Sequence, residues 1–205
     1  KDKVGLIGRN GVGKTTLLGI LSKESSPTSG HVEQPRGSKI GYLKQHISID
    51  QTLSIKAAAA EAFSDVLEAQ AKLDEIGHKL ENDLYDSDDA QMAAIEQIEA
   101  LSIQVEMSGV NTMEGTIERV LKGLGFTNAE FSKKVGELSG GWQMRIELAK
   151  MLLQSPDFLF LDEPTNYLDI ISIIWLEDYL RNYPKSIILI SHDQEFINNV
   201  CTRIV

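Results

Sequence analysis

Short uninterrupted apolar runs alternate with stretches in which apolar residues recur every three or four positions. The runs at 4–7, 40–43, 158–161 and 187–190 predict buried strands, and Phe158-Leu159-Phe160-Leu161 has the near-continuous apolar character of a strand covered on both faces of a parallel sheet. Between them the periodicity predicts helices over 15–21, over 116–124 with Gly125 as its stop, over 142–153 ended by Ser155-Pro156, and around 173–180. Pro27, Ser29 and Gly30 mark a turn region. Strands and helices alternating in this way predict a doubly wound α/β core.

Residues 57–107 follow a different pattern. Val66, Ala69, Leu73, Ile76 and Leu80 form one helical stripe, and Ala94, Ile98, Leu101 and Val105 form another. The polar break between them contains Tyr85, Asp86, Ser87, Asp88 and Asp89. This predicts a helical hairpin with its tip near 86–89, inserted into the core. The expected organisation is a first core part at 1–56, an insertion at 57–107, a helical subdomain at 108–155 and a second core part at 156–205.

Charge sharpens this division. The 205-residue chain carries a net charge of −10. Residues 57–115 hold 14 acidic residues against two lysines, so this segment is at −12 and the remainder is near +2. An acidic insert therefore sits in a near-neutral host, and the overall charge opposes whole-surface binding to nucleic acid. With 42% apolar and 24% charged residues, the composition is that of an ordinary globular protein. No apolar run is long enough to cross a bilayer. The single cysteine, Cys201, cannot form an internal disulfide, which agrees with a reducing cytosol. The first residues run straight into a strand, so further chain is expected upstream.

The candidate chemistry begins at Gly8-Arg9-Asn10-Gly11-Val12-Gly13-Lys14-Thr15, a complete phosphate-loop pattern between a predicted strand and a predicted helix. Its glycines let backbone N–H groups turn toward an anion, and the helix adds its positive end. Lys14 can reach terminal phosphates, and Thr15 offers a hydroxyl to a magnesium ion. Gly8, Asn10, Gly11, Gly13, Lys14, Thr15 and Thr16 are the candidate ATP-binding residues. Asp162 and Glu163 follow a buried strand, where adjacent carboxylates need partners or a cation. Asp162 is the candidate magnesium residue and Glu163 the candidate for orienting and polarising the attacking water. Ser139-Gly140-Gly141, ahead of the helix expected from Trp142, is a second candidate anion-binding turn. Gln45 is a candidate for sensing the magnesium ion or its water, and His192, following a core strand, for bonding the γ-phosphate. The histidines and cysteine show no zinc-ligand spacing.

In order and spacing these segments resemble the ATP-binding cassette family over nearly the whole chain outside the insert. The resemblance matches Lys14 to the Walker A lysine, Gln45 to the Q-loop glutamine, and residues 139–141 to the signature loop. It matches Asp162 and Glu163 to the Walker B pair, Asp169 to the D-loop aspartate and His192 to the switch histidine. The run Glu163-Pro164-Thr165-Asn166-Tyr167-Leu168-Asp169 is similar to that of the ABC-F class, soluble cassette proteins many of which act on ribosomes. In that class an arm is inserted where 57–107 stands, and an aromatic or charged residue often follows the signature, as Trp142 does here. Tyr167 stands where that class usually has histidine, with no loss of hydrolysis expected.

The resemblance implies a P-loop ATPase using ATP and Mg2+, cytoplasmic, completed by a second facing cassette and partnered by the ribosome. It also implies a fragment of a first cassette. The motor subunit of a membrane transporter is the alternative reading. A DNA-repair or chromosome-maintenance ATPase, which would need longer insertions or zinc-binding cysteines, and a non-catalytic nucleotide-binding module fit less well.

Overall fold

The computed structural model describes residues 2–43, 49–82, 84–85, 87–108 and 112–205, with the side chains of residues 104, 107 and 108 excepted. Its core is an α/β layer around a five-stranded parallel sheet. The strands are β1 (Lys3–Gly5), β2 (Ile40–Tyr42), β3 (Phe158–Asp162), β4 (Ser186–Ile190) and β5 (Arg203–Ile204), arranged in the order β2-β3-β4-β1-β5. In register, Gly41 lies beside Leu159, Leu159 beside Ile187, and Val4 beside Ile188. All strands are parallel, so their C-terminal ends share one edge, the edge at which open α/β sheets place ligands.

The strand limits differ from the sequence expectation by one or two residues, and two of the differences bear on the sheet's C-terminal edge. β1 stops at Gly5, although Leu6 N–H still donates to Leu189 O at 2.8 Å and Ile7 N–H to Val205 O at 2.9 Å; the chain keeps its ladder contacts while turning out toward Gly8. β3 runs one residue beyond the apolar run, so Asp162 is part of the ladder opposite Ile190. The main helix on the sheet is α1 (Lys14–Leu21). Its fully buried Leu18 meets Phe160 and Ile190, with Leu21 and Ile188 packed around them.

The chain divides into two compact units, residues 1–62 with 118–205 and residues 63–117. In the first unit, α2 (Ile55–Ala60) starts at Ser54, whose hydroxyl accepts from Ala57 N–H. Ile55, Ala58 and Ala59 are buried, and α2 packs against α6 (Gly140–Gln154). In the second unit, α3 (Ser64–Glu81) and α4 (Asp88–Ser108) pack on each other, with Ala69, Ile76 and Ala94 buried. These positions fall on the two stripes visible in the sequence. α5 (Met113–Gly123) crosses the boundary between the units. It ends where Gly125, at φ +93°, turns left-handed and Phe126 N–H returns to Leu121 O at 3.0 Å. Among the described residues two further α-helices follow, α7 (Ile170–Arg181) and α8 (Gln194–Val200).

α5, α6 and α7 each extend further toward the N-terminus than their apolar periodicity. For α6 and α7 the cause lies in the capping residues. Ser139 has the extended backbone of an N-cap, so Gly140 and Gly141 form the first turn of α6 and do not make a separate glycine turn. Asp169 caps α7 by accepting from Ser172 N–H at 3.0 Å. α5 begins at Met113.

Gly123 lies flat under the Trp175 ring of α7. A Cβ there would fall 2.0 Å from the indole, a backbone-to-ring overlap with no flexible side-chain end to yield. Replacing a helical glycine with alanine ordinarily gains up to about 1 kcal/mol. Here the overlap wins, and Gly123→Ala is expected to destabilise the protein by about 1–3 kcal/mol, read as a lower urea midpoint. A midpoint at or above wild type would show that Trp175 moves aside freely.

Candidate functional site

The turn after β1 is shaped by two glycines that a side chain would strain. Gly11 (φ +81°) and Gly13 (φ +98°) lie in the left-handed region, with no atom within 4 Å of where a Cβ would stand. The loop therefore curls with open space on its concave side and enters α1 at Lys14. The Lys14 ammonium donates to Gly8 O at 2.7 Å and Arg9 O at 3.1 Å, which arches the side chain over its own loop. Thr15, one residue into the helix, donates its hydroxyl to Asp162 Oδ2 at 2.7 Å. Two residues 147 positions apart are thus in direct contact because β1 and β3 end at the same edge.

Asp162 is buried at 7% exposure. The next residue, Glu163, adopts φ +52°, in the left-handed region that non-glycine residues rarely occupy. Glu163 N–H still pairs with Ile190 O at 2.9 Å. Its Oε2 accepts from His192 N–H at 3.2 Å, while its buried Oε1 has no hydrogen-bond partner. His192 Nε2 lies 3.4 Å from that oxygen, within ion-pair reach but without hydrogen-bond geometry. The His192 side chain is largely exposed, whereas that of Glu163 is 14% exposed. Asn10, Gly11, Gly13, Lys14, Thr15 and Thr16 share one cleft of about 310 Å³ with Asp162, Glu163 and His192. Gly8 contributes its carbonyl to Lys14. Gln45 lies outside the described residues.

Ser139, Gly140 and Gly141 do not line that cleft. They open α6, whose first N–H groups are the donors a helix start leaves for an anion. A Cβ built on Gly141 would stand 3.4 Å from the Tyr167 ring, so this turn packs against the segment that follows Glu163.

Sequence reasoning missed Arg145. It sits on α6 at 8% exposure and donates to Tyr167 O at 2.7 Å, Leu124 O at 2.9 Å and Asp169 Oδ2 at 2.8 Å. Its guanidinium also lies 4.1 Å from the centroid of Trp142, which packs on Phe126. The available signal was its phase: Arg145 shares a helix face with Leu148, Ala149 and Leu152, where a cation must be paired. Elsewhere, burial pushes the Cys201 thiol up to about 11, so it stays protonated and unreactive at neutral pH.

The ABC transporter family profile matches residues 1–166. The chain is 35% identical over 205 residues to ABC transporter F family member 5 of Arabidopsis thaliana, covering 100% of this chain and 30% of that protein. It is 37% identical over 205 residues to the putative ATP-binding protein YdiF of Bacillus subtilis, covering 100% of this chain and 31% of the relative. The chain thus spans about a third of the length of these curated relatives. Among solved structures, the ATP-binding subunit of an ABC transporter aligns with a TM-score of 0.68 at 16% identity, over 100% of this chain and 73% of that one. The archaeal ribosome recycling factor aABCE1, in complex with the ribosomal stalk protein aP1, aligns with a TM-score of 0.66 at 23% identity, over 99% of this chain and 31% of that one. At these identities the structural likeness concerns the fold.

Asp169 supplies a pH test of the local geometry. The Ser172 backbone N–H, and after it Arg145, hold its carboxyl down at about 2, against an ordinary value near 3.8. A depressed carboxyl stabilises the fold above its unfolded pKa and loses that contribution as pH falls toward the folded value. The stability gap between wild type and Asp169→Asn is therefore expected to be constant above pH about 4 and to narrow between pH about 4 and 2. Urea unfolding at pH 6, 4 and 3 measures it. A gap as wide at pH 3 as at pH 6 would mean that the charge on Asp169 adds no stability.

Proposed function

This chain belongs to the ABC transporter family of ATP-binding cassettes, and on that premise we propose that it binds ATP with Mg2+, hydrolyses it together with a second facing cassette, and serves an ABC-F-type protein acting on the ribosome. The observation that carries the reading is the 2.7 Å contact between Thr15 and Asp162 beside a Glu163 oxygen that is buried and accepts no hydrogen bond. A hydroxyl and a carboxylate meeting at a strand end form a hard-oxygen donor set suited to magnesium. The open, left-handed turns at Gly11 and Gly13 leave the loop backbone free to wrap phosphates. Magnesium held by Thr15 and Asp162, with Gln45 as the third proposed member, would neutralise phosphate charge.

The chain's own residues do the rest. Gly8, Asn10, Gly11, Gly13 and Thr16 shape the phosphate cradle, and Lys14 exchanges its contacts with the loop carbonyls for phosphate oxygens. Glu163 orients and polarises the attacking water through Oε1, the oxygen its neighbours leave unbonded. His192 fixes the other carboxylate oxygen through its backbone N–H and holds its exposed imidazole at the cleft for the γ-phosphate. The N-terminus of α6, with Ser139, Gly140 and Gly141, receives the nucleotide of the facing cassette. The ribosome assignment is supported by the run from Glu163 to Asp169 and by the F-family names of relatives at 35% identity.

Lys14→Ala is expected to weaken Mg-ATP binding in titration calorimetry, since it removes the cation at the cradle; undiminished affinity in a folded variant would sink the binding assignment. Glu163→Gln in the full-length protein is expected to bind ATP normally while single-turnover γ-phosphate release slows by about 30- to 1000-fold. That trapped form should co-sediment with ribosomes. Near-wild-type release would remove Glu163 from the chemistry. Slow release without ribosome retention would keep the ATPase reading and reject the ribosomal one.

A further inference from the structure

The facing cassette is expected to read the start of α6, and the aspartate at the start of α7 is tied to that same helix. Asp169 is an ordered group: its Oδ1 accepts from Ser172 N–H, and its Oδ2 accepts from Arg145 at 2.8 Å and from the Ser172 hydroxyl at 3.3 Å. Arg145 is rooted in α6, six residues after Ser139. Its donors divide between two separate pieces of chain: the segment 167–169, through Tyr167 O and the aspartate, and the end of α5, through Leu124 O. Gly125 is what lets the second piece come so near. A Cβ there would stand 2.6 Å from Arg145 Nη1, and the backbone is left-handed. A second link runs in parallel, because the Tyr167 ring packs on Gly141. The start of α6 is therefore fastened to residues 167–169 at both of its ends, by backbone contact at Gly141 and by a buried cation one turn on.

We propose that Arg145 is a positioning residue that locks the signature helix α6 to the segment carrying Asp169, so that residues 139–141 and Asp169 meet the facing cassette as one rigid element. This rests on the reading above that a second cassette completes the site. A buried arginine that only filled space would, when replaced, change how much protein folds. A lock changes the rate of each folded molecule, since displacements near 1 Å from reactive geometry cost on the order of 100-fold. Lysine retains the charge but cannot reproduce the planar fork that serves acceptors in several directions.

The test uses the full-length protein with Arg145→Lys, Asp169→Asn and both together. Asparagine keeps the helix cap while removing the charge that Arg145 meets. Turnover is measured per folded molecule, with folding followed by urea unfolding and local order by hydrogen exchange over residues 165–170. Arg145→Lys is expected to lower kcat about 10- to 100-fold with KM for ATP within about threefold, and to speed exchange at 167–169. The double variant is expected to be no slower than Arg145→Lys alone, because both changes open the same lock.

Wild-type kcat and exchange in Arg145→Lys, or losses that multiply in the double variant, would overturn the proposal. If Arg145→Lys does not fold, Asp169→Asn decides: slower turnover with faster exchange at 167–169 supports the lock, and unchanged values reject it. A wild-type protein that hydrolyses no ATP rejects the two-cassette reading instead, and the exchange measurement still judges the lock.

Discussion

A carboxylate taken out of water at the end of a parallel strand needs a donor or a cation within reach, and Asp162 finds its donor in a residue 147 positions away. That requirement orders much of the first compact unit. The Thr15 hydroxyl can meet Asp162 only if β1 and β3 run parallel and end at one edge, and only if the loop after β1 turns back over that edge. Leu18, three residues beyond Thr15, is fully buried against Phe160 and Ile190, so the packing of α1 and the polar contact at its start fix the same helix position. Apolar burial supplies the general attraction, and the hydroxyl–carboxylate contact selects the phase of the helix.

The second unit is built on other terms. α3 and α4 bury alanines and an isoleucine between them, and their remaining surface is rich in acid. Such a pair gains little from a large core and relies on close helix packing with local pairs such as Glu75–Lys79. Its charge differs in kind from that of the near-neutral nucleotide-site unit, so ionic strength acts on the two through different groups.

Much of this was legible in the chain because it is written in local grammar. The phosphate loop, the buried strand before Asp162 and Glu163, and the two helical stripes are each contained within a few tens of residues. The less legible features depend on distant partners or on single capping atoms. Apolar periodicity could not show that α6 starts at Gly140, because glycines carry no side-chain pattern; the start is set by the backbone of Ser139. The onset of α7 is likewise set by one capping carboxylate, that of Asp169, which stands outside the apolar pattern around 173–180. The role of Arg145 depends on Leu124 and on Tyr167 through Asp169, segments more than 20 residues away on either side.

On the proposed role of Glu163, its left-handed backbone sets selection for robustness against selection for turnover. A non-glycine residue held at φ +52° stores on the order of 1–3 kcal/mol of strain, and glycine or asparagine would relax much of it. A population screened only for heat resistance would therefore drift toward those residues at position 163 and lose the carboxylate as it did so. Persistence of glutamate through such a screen would be a mark of chemistry, kept in spite of the backbone it requires.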